Sequence, residues 1–391
     1  MVKNFLWLVF EKFFSVFFGY FVTIYTARYL GPDSLGSIVY CLSISAMIVP
    51  IGQLGSQSIV FDRAAKKSKL VYSLIESGKT PRLICFSVMV LLIFTMNVVF
   101  NKVDNILLLL AFVSVYATTI DSYKPYFDGM LMSKVNAIYN QIGSFSSQIV
   151  RVFLTKMTNE TTMFMIPYII LSAIPYVLRK VKYNKEVRSA LVYKEHKNRK
   201  LTKLTYTLGA PLAVSGFSIV IYTKINELLL GSLLGMKEVA IFNTSVFLSS
   251  SWAFISISLL TSLLGDCLSK KHNKENNLSK VFFILTIVSM PFIVVIFIFG
   301  DFLVDLLYGK EFSEMKDILS ILSISSLFSI FGSFGYRVIV SYSGYKFLMY
   351  KMIFTGLISL PISYCLILYF GLEGAAISIL VIEFFSSTVI N

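Results

Sequence analysis

The chain has 391 residues, of which 56% are hydrophobic and 14% charged, and its mean hydropathy is +0.76. A soluble domain carries about 25% charged residues, so this chain cannot cover a water-facing surface and belongs in a bilayer. A formal net charge of +14 would suggest nucleic acid for a soluble protein. Here it reads as loop cations that set topology, and no nucleic-acid partner is expected.

Backbone groups in lipid must bond internally, which leaves helices or a closed barrel. The apolar runs are about 20 residues long without strict alternation, so the expected fold is all-α and membrane-spanning. The sequence predicts twelve spans, at about 5–29, 36–60, 83–100, 106–130, 135–156, 161–180, 207–233, 239–265, 281–299, 315–341, 347–369 and 374–390. The first apolar run is too long for the core of a cleavable signal. The last meets Asn391 without the basic tail that usually stops a span, so a chain continuing beyond this point is allowed for.

Between the first two spans, Gly31-Pro32-Asp33-Ser34 is a turn in which glycine supplies free backbone angles and proline fixes φ. Leu234-Gly235-Met236 repeats the Leu30-Gly31-Pro32 setting 204 residues later, with an apolar run on each side. This points to an internal duplication. The stretch Arg179–Lys203 holds ten lysines and arginines. It divides the chain into a six-span lobe at 1–180, a basic linker at 181–206 and a second six-span lobe at 207–391. Because six is even, the lobes insert in the same sense, which implies a pseudo-two-fold axis along the membrane normal and a path between the halves.

Arg63, Lys66, Lys67, Lys69, Lys79, Arg82, Lys124, Lys134, the linker cations, Lys270, Lys271, Lys274 and Lys280 all fall on one side of the predicted topology. The other side has Arg28, Lys102, Lys156, Lys237, Lys310 and Lys316. Both termini are therefore expected in the cytoplasm. The linker cations read as topology signals, with anionic lipid head groups as the alternative. The segment Gly300–Glu314 reads as a short interfacial helix. Cys41, Cys85, Cys267 and Cys365 are scattered, and His196 and His272 lie in basic loops, so neither a metal set nor a catalytic triad is expected.

Charges at membrane depth cost about 2.5–3.5 kcal/mol each to insert. They are Glu11, Lys12, Asp121, Lys124, Arg151, Lys224, Glu227, Arg337 and Glu383, with Arg28 and Arg63 at span ends. Asp121 with Lys124 and Lys224 with Glu227 are three apart, one helical turn, so each can neutralise itself. Arg151 shares its span with Gln141, Ser144, Ser147 and Gln148, which reads as the wall of a wet cavity. Arg337 has no local acid. Unpaired arginines suit phosphate better than organic cations, and Tyr20, Tyr25, Tyr116, Tyr123, Tyr139 and Tyr222 could stack on sugar rings.

TARYLGPDSLGSIVY and GQLGSQSIVFDRAA (Gly52–Ala65) resemble the opening spans of Wzx-type polysaccharide repeat-unit flippases, of the multidrug/oligosaccharidyl-lipid/polysaccharide exporter superfamily. TKINELLLGSLLGMKEVAIFNTS (Thr223–Ser245), LLYGKEFSEMKDILSILS (Leu306–Ser323) and GLEGAAIS (Gly371–Ser378) resemble later segments in the same order. Asn226 stands where the family often has an acid, Ala240 for the expected Gly and Phe242 for the expected Tyr. The resemblance implies a bacterial inner-membrane protein that flips an undecaprenyl-diphosphate-linked oligosaccharide, an O-antigen (lipopolysaccharide) or capsule repeat unit. It implies no catalytic residue and no cofactor, with an H⁺ or Na⁺ gradient as the open driving force. Membrane lipids and polysaccharide polymerase or assembly proteins are the implied partners. It implies Arg28, Arg63, Lys124, Arg151, Lys224 and Arg337 as substrate-binding, with Asp121 and Glu227 as coupling partners. The competing readings are an Na⁺- or H⁺-coupled multidrug exporter of cations from the same superfamily, and an enzyme acting on lipid-linked sugars. The second would need a large external loop, which the spans do not leave room for.

Overall fold

The computed structural model describes residues 2–68, 70–185, 199–269, 274–342 and 345–389, with side chains described for 17–68, 70–185, 202–203, 205–260, 263, 278–339 and 347–387. Residues 186–198 of the basic linker, with His196, and residues 270–273, with His272, lie outside the described residues, as do the side chains of Glu11, Lys12 and Cys267. Every regular element among the described residues is helical.

The contacts divide the chain into two units, Met1–Val220 and Ile221–Asn391. The first contains α1 (Val2–Gln53), α2 (Ser56–Ala65), α3 (Leu70–Ser77), α4 (Lys79–Phe100), α5 (Asn105–Ile120), α6 (Tyr123–Gly129), α7 (Ser133–Met157) and α8 (Ile166–Tyr183). It also takes the first part of α9 (Arg199–Leu233). The second contains the rest of α9, α10 (Met236–Ser249), α11 (Ala253–Ser269), α12 (Lys274–Leu307), α13 (Met315–Tyr342) and α14 (Tyr345–Phe384). The sequence places the second lobe's start at 207, whereas the contacts place it inside α9. The reason is local. Gly209 lies so close to Leu54 that a Cβ would collide with its carbonyl oxygen, so the beginning of α9 packs on the end of α1.

Eight helices among the described residues are long and apolar enough to cross a membrane, and α10 with Ala253–Leu260 adds a pair bent by 48°. Two of the eight, Phe17–Gln53 with 37 residues and Phe347–Ser387 with 41, are long enough to cross twice. They break at Gly31 (φ 71, ψ 170) and Gly371 (φ 57, ψ −128). With α7, long enough at 25 residues but more polar, these account for the twelve predicted spans. The chain is an all-α, multi-span membrane protein.

Gly31 and Gly235 carry the same device. Gly31 stands at φ 71, ψ 170 and Gly235 at φ 155, ψ 178, a region essentially reserved for glycine. In each, the chain leaves one helix and starts the next without a loop. Pro32 follows the first and pre-sets φ for the new helix; Glu238 in the first turn of α10 favours the second start.

Two elements differ from expectation. The predicted fourth span is broken between α5 and α6, because the Asp121 carboxylate accepts the Tyr123 and Lys124 backbone N–H groups at 3.0 and 3.1 Å and opens a new helix. Gly300–Leu307 is no separate interfacial helix but the end of α12. The segment behind it is pinned by Tyr308 and Phe312, both buried.

Candidate functional site

α7 shows how this fold turns polar groups inward. Its buried residues are Asn136, Gly143, Ser147, Arg151 and Thr155, four apart along most of their length and therefore on one face. Ile138, Ile142, Ile149 and Phe153 face outward and are exposed. The helix is amphipathic with its polar side to the protein and its apolar side to lipid. Ser147 does not line a wet wall as its sequence setting suggested: its hydroxyl donates to the Pro167 carbonyl at 2.8 Å and locks α7 to α8. Gln148 Oε1 is buried with no hydrogen-bond partner among the described residues.

Arg151 is only 6% exposed. Its guanidinium donates to Thr23 Oγ1 on α1 at 3.3 Å and lies 4.8 Å from the centre of the Tyr168 ring on α8. Among the described residues no carboxylate comes within salt-bridge distance of it. A cation held by a hydroxyl and an aromatic face keeps donors available for an incoming anion.

The other charges of the first unit are arranged differently. Asp121 does not pair with Lys124. Its carboxylate accepts from Arg179 Nε at 2.9 Å and forms an ion pair with Nη2 at 2.7 Å, both residues being buried, and Arg179 also donates to Asn140 at 2.9 Å. Three apart in a helix would have brought Asp121 and Lys124 together, but the helix breaks at Asp121 and the carboxylate turns back to α8. Arg82, counted with the loop cations, is buried as well. It donates to the carbonyls of Ile75, Gly78 and Ile120 and to the Ser122 hydroxyl. Two cations read as topology signals are thus internal fasteners. Of the remaining predicted cations, Arg28 is exposed on α1 before the Gly31 break, Arg63 is half-buried in the last turn of α2, and Lys124 is half-buried on α6. Tyr123 is not open to a sugar ring: it is buried against Tyr176 and Tyr183, at ring separations of 6.0 and 5.0 Å.

In the second unit Lys224 and Glu227 pair as their spacing predicted, at 3.0 and 2.9 Å, and Asn243 on α10 donates to the same carboxylate at 2.8 Å. Asn226 accepts from Ser378, which also accepts from Ser363. Arg337 lines a cavity of about 280 Å³ with Tyr222, Tyr336, Lys351 and Glu383. Lys351 is 4% exposed. It is not among the charges that the sequence places at membrane depth, yet a signal exists: Lys351, Thr355, Ser359 and Ser363 recur every fourth residue, and all four are buried. Arg179 likewise continues the buried stripe Pro167, Pro175, Arg179 and Tyr183 of α8.

Among the described residues no group of His, Cys, Asp and Glu could hold a metal ion. The cations described above all lie on helices, and Arg82, Arg151, Arg179 and Lys351 are buried.

The polysaccharide biosynthesis protein family model matches residues 1–263, so the chain belongs to that family. The MatE model matches residues 211–365. No curated protein matches the sequence. Among solved structures, the lipid II flippase MurJ in an inward closed conformation is similar with a TM-score of 0.78 and 14% identity, over 98% of this chain and 86% of that one. A multidrug resistance MATE family transporter of the MOP superfamily is similar in its inward-facing conformation with a TM-score of 0.64 and in its outward-facing conformation with 0.58. Both are 14% identical and cover 96% of this chain and 92% of the other. The protein is a transporter or flippase of that superfamily, the multidrug/oligosaccharidyl-lipid/polysaccharide exporters.

Proposed function

We propose that this protein is a flippase that carries an undecaprenyl-diphosphate-linked oligosaccharide, an O-antigen or capsule repeat unit, across the bacterial inner membrane by alternating access. The observation that carries the reading is Arg151, a buried guanidinium with no carboxylate in salt-bridge reach among the described residues. Such a group is a poor host for an organic cation and a good one for a diphosphate or an acidic sugar. Arg28, Arg63, Lys124, Lys224 and Arg337 are the further cations assigned to the headgroup. The lipid tail stays in the bilayer and no covalent bond changes. Asp121 and Glu227 stand as coupling residues only if their cation partners release them, and the driving ion is H⁺ or Na⁺. Both termini are assigned to the cytoplasm, and polysaccharide polymerase or assembly proteins are the partners.

The test is deletion of the gene in its own host. Lipid-linked repeat units should accumulate in the inner leaflet, wild-type protein should clear them, and Arg151→Ala and Arg337→Ala should insert normally yet fail to clear them. Normal surface polysaccharide in the deletion strain would defeat the reading. The MatE match over residues 211–365 favours a second reading, a cation-coupled drug exporter, which would expel a cationic dye from cells expressing the protein.

A further inference from the structure

The cavity holding Arg337 has a neighbour. It shares Ser386 with an apolar groove of about 330 Å³ lined by Phe354, Ile358, Ile362, Ile382 and Phe385. Phe354, Ile358 and Phe385 are exposed along this groove. All of these residues belong to the second unit. A charged recess thus opens beside a greasy furrow on a membrane-facing protein. Two cations and one acid, Arg337, Lys351 and Glu383, line the recess together with the hydroxyl groups of Tyr222, Tyr336 and Ser329.

Lys351 and Glu383 line the same recess. A buried ammonium needs a counter-charge, and Glu383, beyond the Gly371 break of α14, is the carboxylate that lines the recess with it. A carboxylate carries one negative charge; a diphosphate carries more and offers several acceptor oxygens to Arg and Lys donors.

We infer that the second unit contains a subsite for a polyprenyl diphosphate: Lys351 and Arg337 take the diphosphate, Glu383 is the resident anion it displaces, and the groove from Phe354 to Phe385 takes the first isoprene units. The inference deepens the flippase reading, on which it rests for its substrate class. It adds Lys351 and Glu383 to the binding set and gives them opposite roles. The Lys351 charge attracts the ligand, and the Glu383 charge competes with it.

The opposite roles make the test one of sign. Geranylgeranyl diphosphate is titrated into the purified full chain in lipid nanodiscs, with inorganic pyrophosphate, glucuronate and geranylgeraniol as separate arms. Wild-type protein should bind geranylgeranyl diphosphate more tightly than any of the three. Lys351→Met should weaken it at least tenfold, Lys351→Arg should restore it, and Glu383→Gln should tighten it several-fold. Ile362→Trp, which fills the groove, should weaken geranylgeranyl diphosphate and leave pyrophosphate unchanged. Should Lys351→Met fail to fold, the neutral pair Lys351→Met with Glu383→Gln removes both charges together, and this variant should fold and not bind. Weakening by Glu383→Gln, or equal binding of geranylgeraniol, overturns the inference. Tighter binding of glucuronate than of the lipid diphosphate overturns it as well and assigns the recess to an acidic sugar. Because binding is read on purified protein, failure of the cellular assay with this pattern intact would remove the flippase reading alone.

Discussion

Arg179 on α8 holds Asp121, 58 residues earlier in the chain, through one carboxylate oxygen, with an Nε hydrogen bond at 2.9 Å and an Nη2 ion pair at 2.7 Å. The same carboxylate starts α6 by accepting two backbone N–H groups. One buried acid therefore sets a helix break and joins two helices. Breaking the pair from either side should leave a buried charge uncompensated. Arg179→Met or Asp121→Leu should each lower unfolding free energy by about 3–5 kcal/mol, and the two together should recover much of the loss. Thermal unfolding of purified protein checks this; additive losses would exclude the pairing.

Arg151 makes a contrasting case. It has a hydroxyl and a ring but no acid in reach among the described residues. Arg151→Met should change stability by no more than about 1 kcal/mol, because the lost contacts are offset by relief of a buried charge. The same variant should abolish export. Comparing its unfolding temperature with that of Arg179→Met separates a functional cation from a structural one.

Arg82 has four oxygen acceptors and is 1% exposed. Arg82→Met should leave the Ile75 and Ile120 carbonyls, in the last turns of α3 and α5, without the side-chain donors they have now, at about 1–3 kcal/mol for each buried group that water cannot reach. Membrane orientation should survive, since a buried arginine is no topology signal. Cysteine accessibility on either side of the membrane tests the second statement, and inverted labelling would contradict it.

The two helix breaks can be tested together. Gly31→Ala and Gly235→Ala place a Cβ where positive φ with extended ψ disfavours it, at about 1–3 kcal/mol each. Each should lower the unfolding midpoint, and Gly300→Ala, within the regular helix α12, should lower it less. Equal effects at all three would mean that the breaks do not depend on glycine conformation.

Several features follow from the residues alone. A chain 56% hydrophobic and 14% charged has no surface for water, and lipid leaves its backbone helices or a closed barrel, of which apolar runs of about 20 residues without strict alternation select helices. Gly31 and Gly235 mark breaks because no other residue adopts their angles easily. Lys224 and Glu227 pair because α9 runs unbroken through them and one helical turn brings them together. Tertiary structure decided the partners of charges that had no neighbour within a turn. Asp121 turned from Lys124 to Arg179, Arg82 and Arg179 left the loops for the interior, and Lys351 came to share a cavity with Glu383 and Arg337. The physical reason is distance: in a low-dielectric interior a charge takes whichever partner the packing of helices brings near, and sequence separation carries no record of that packing.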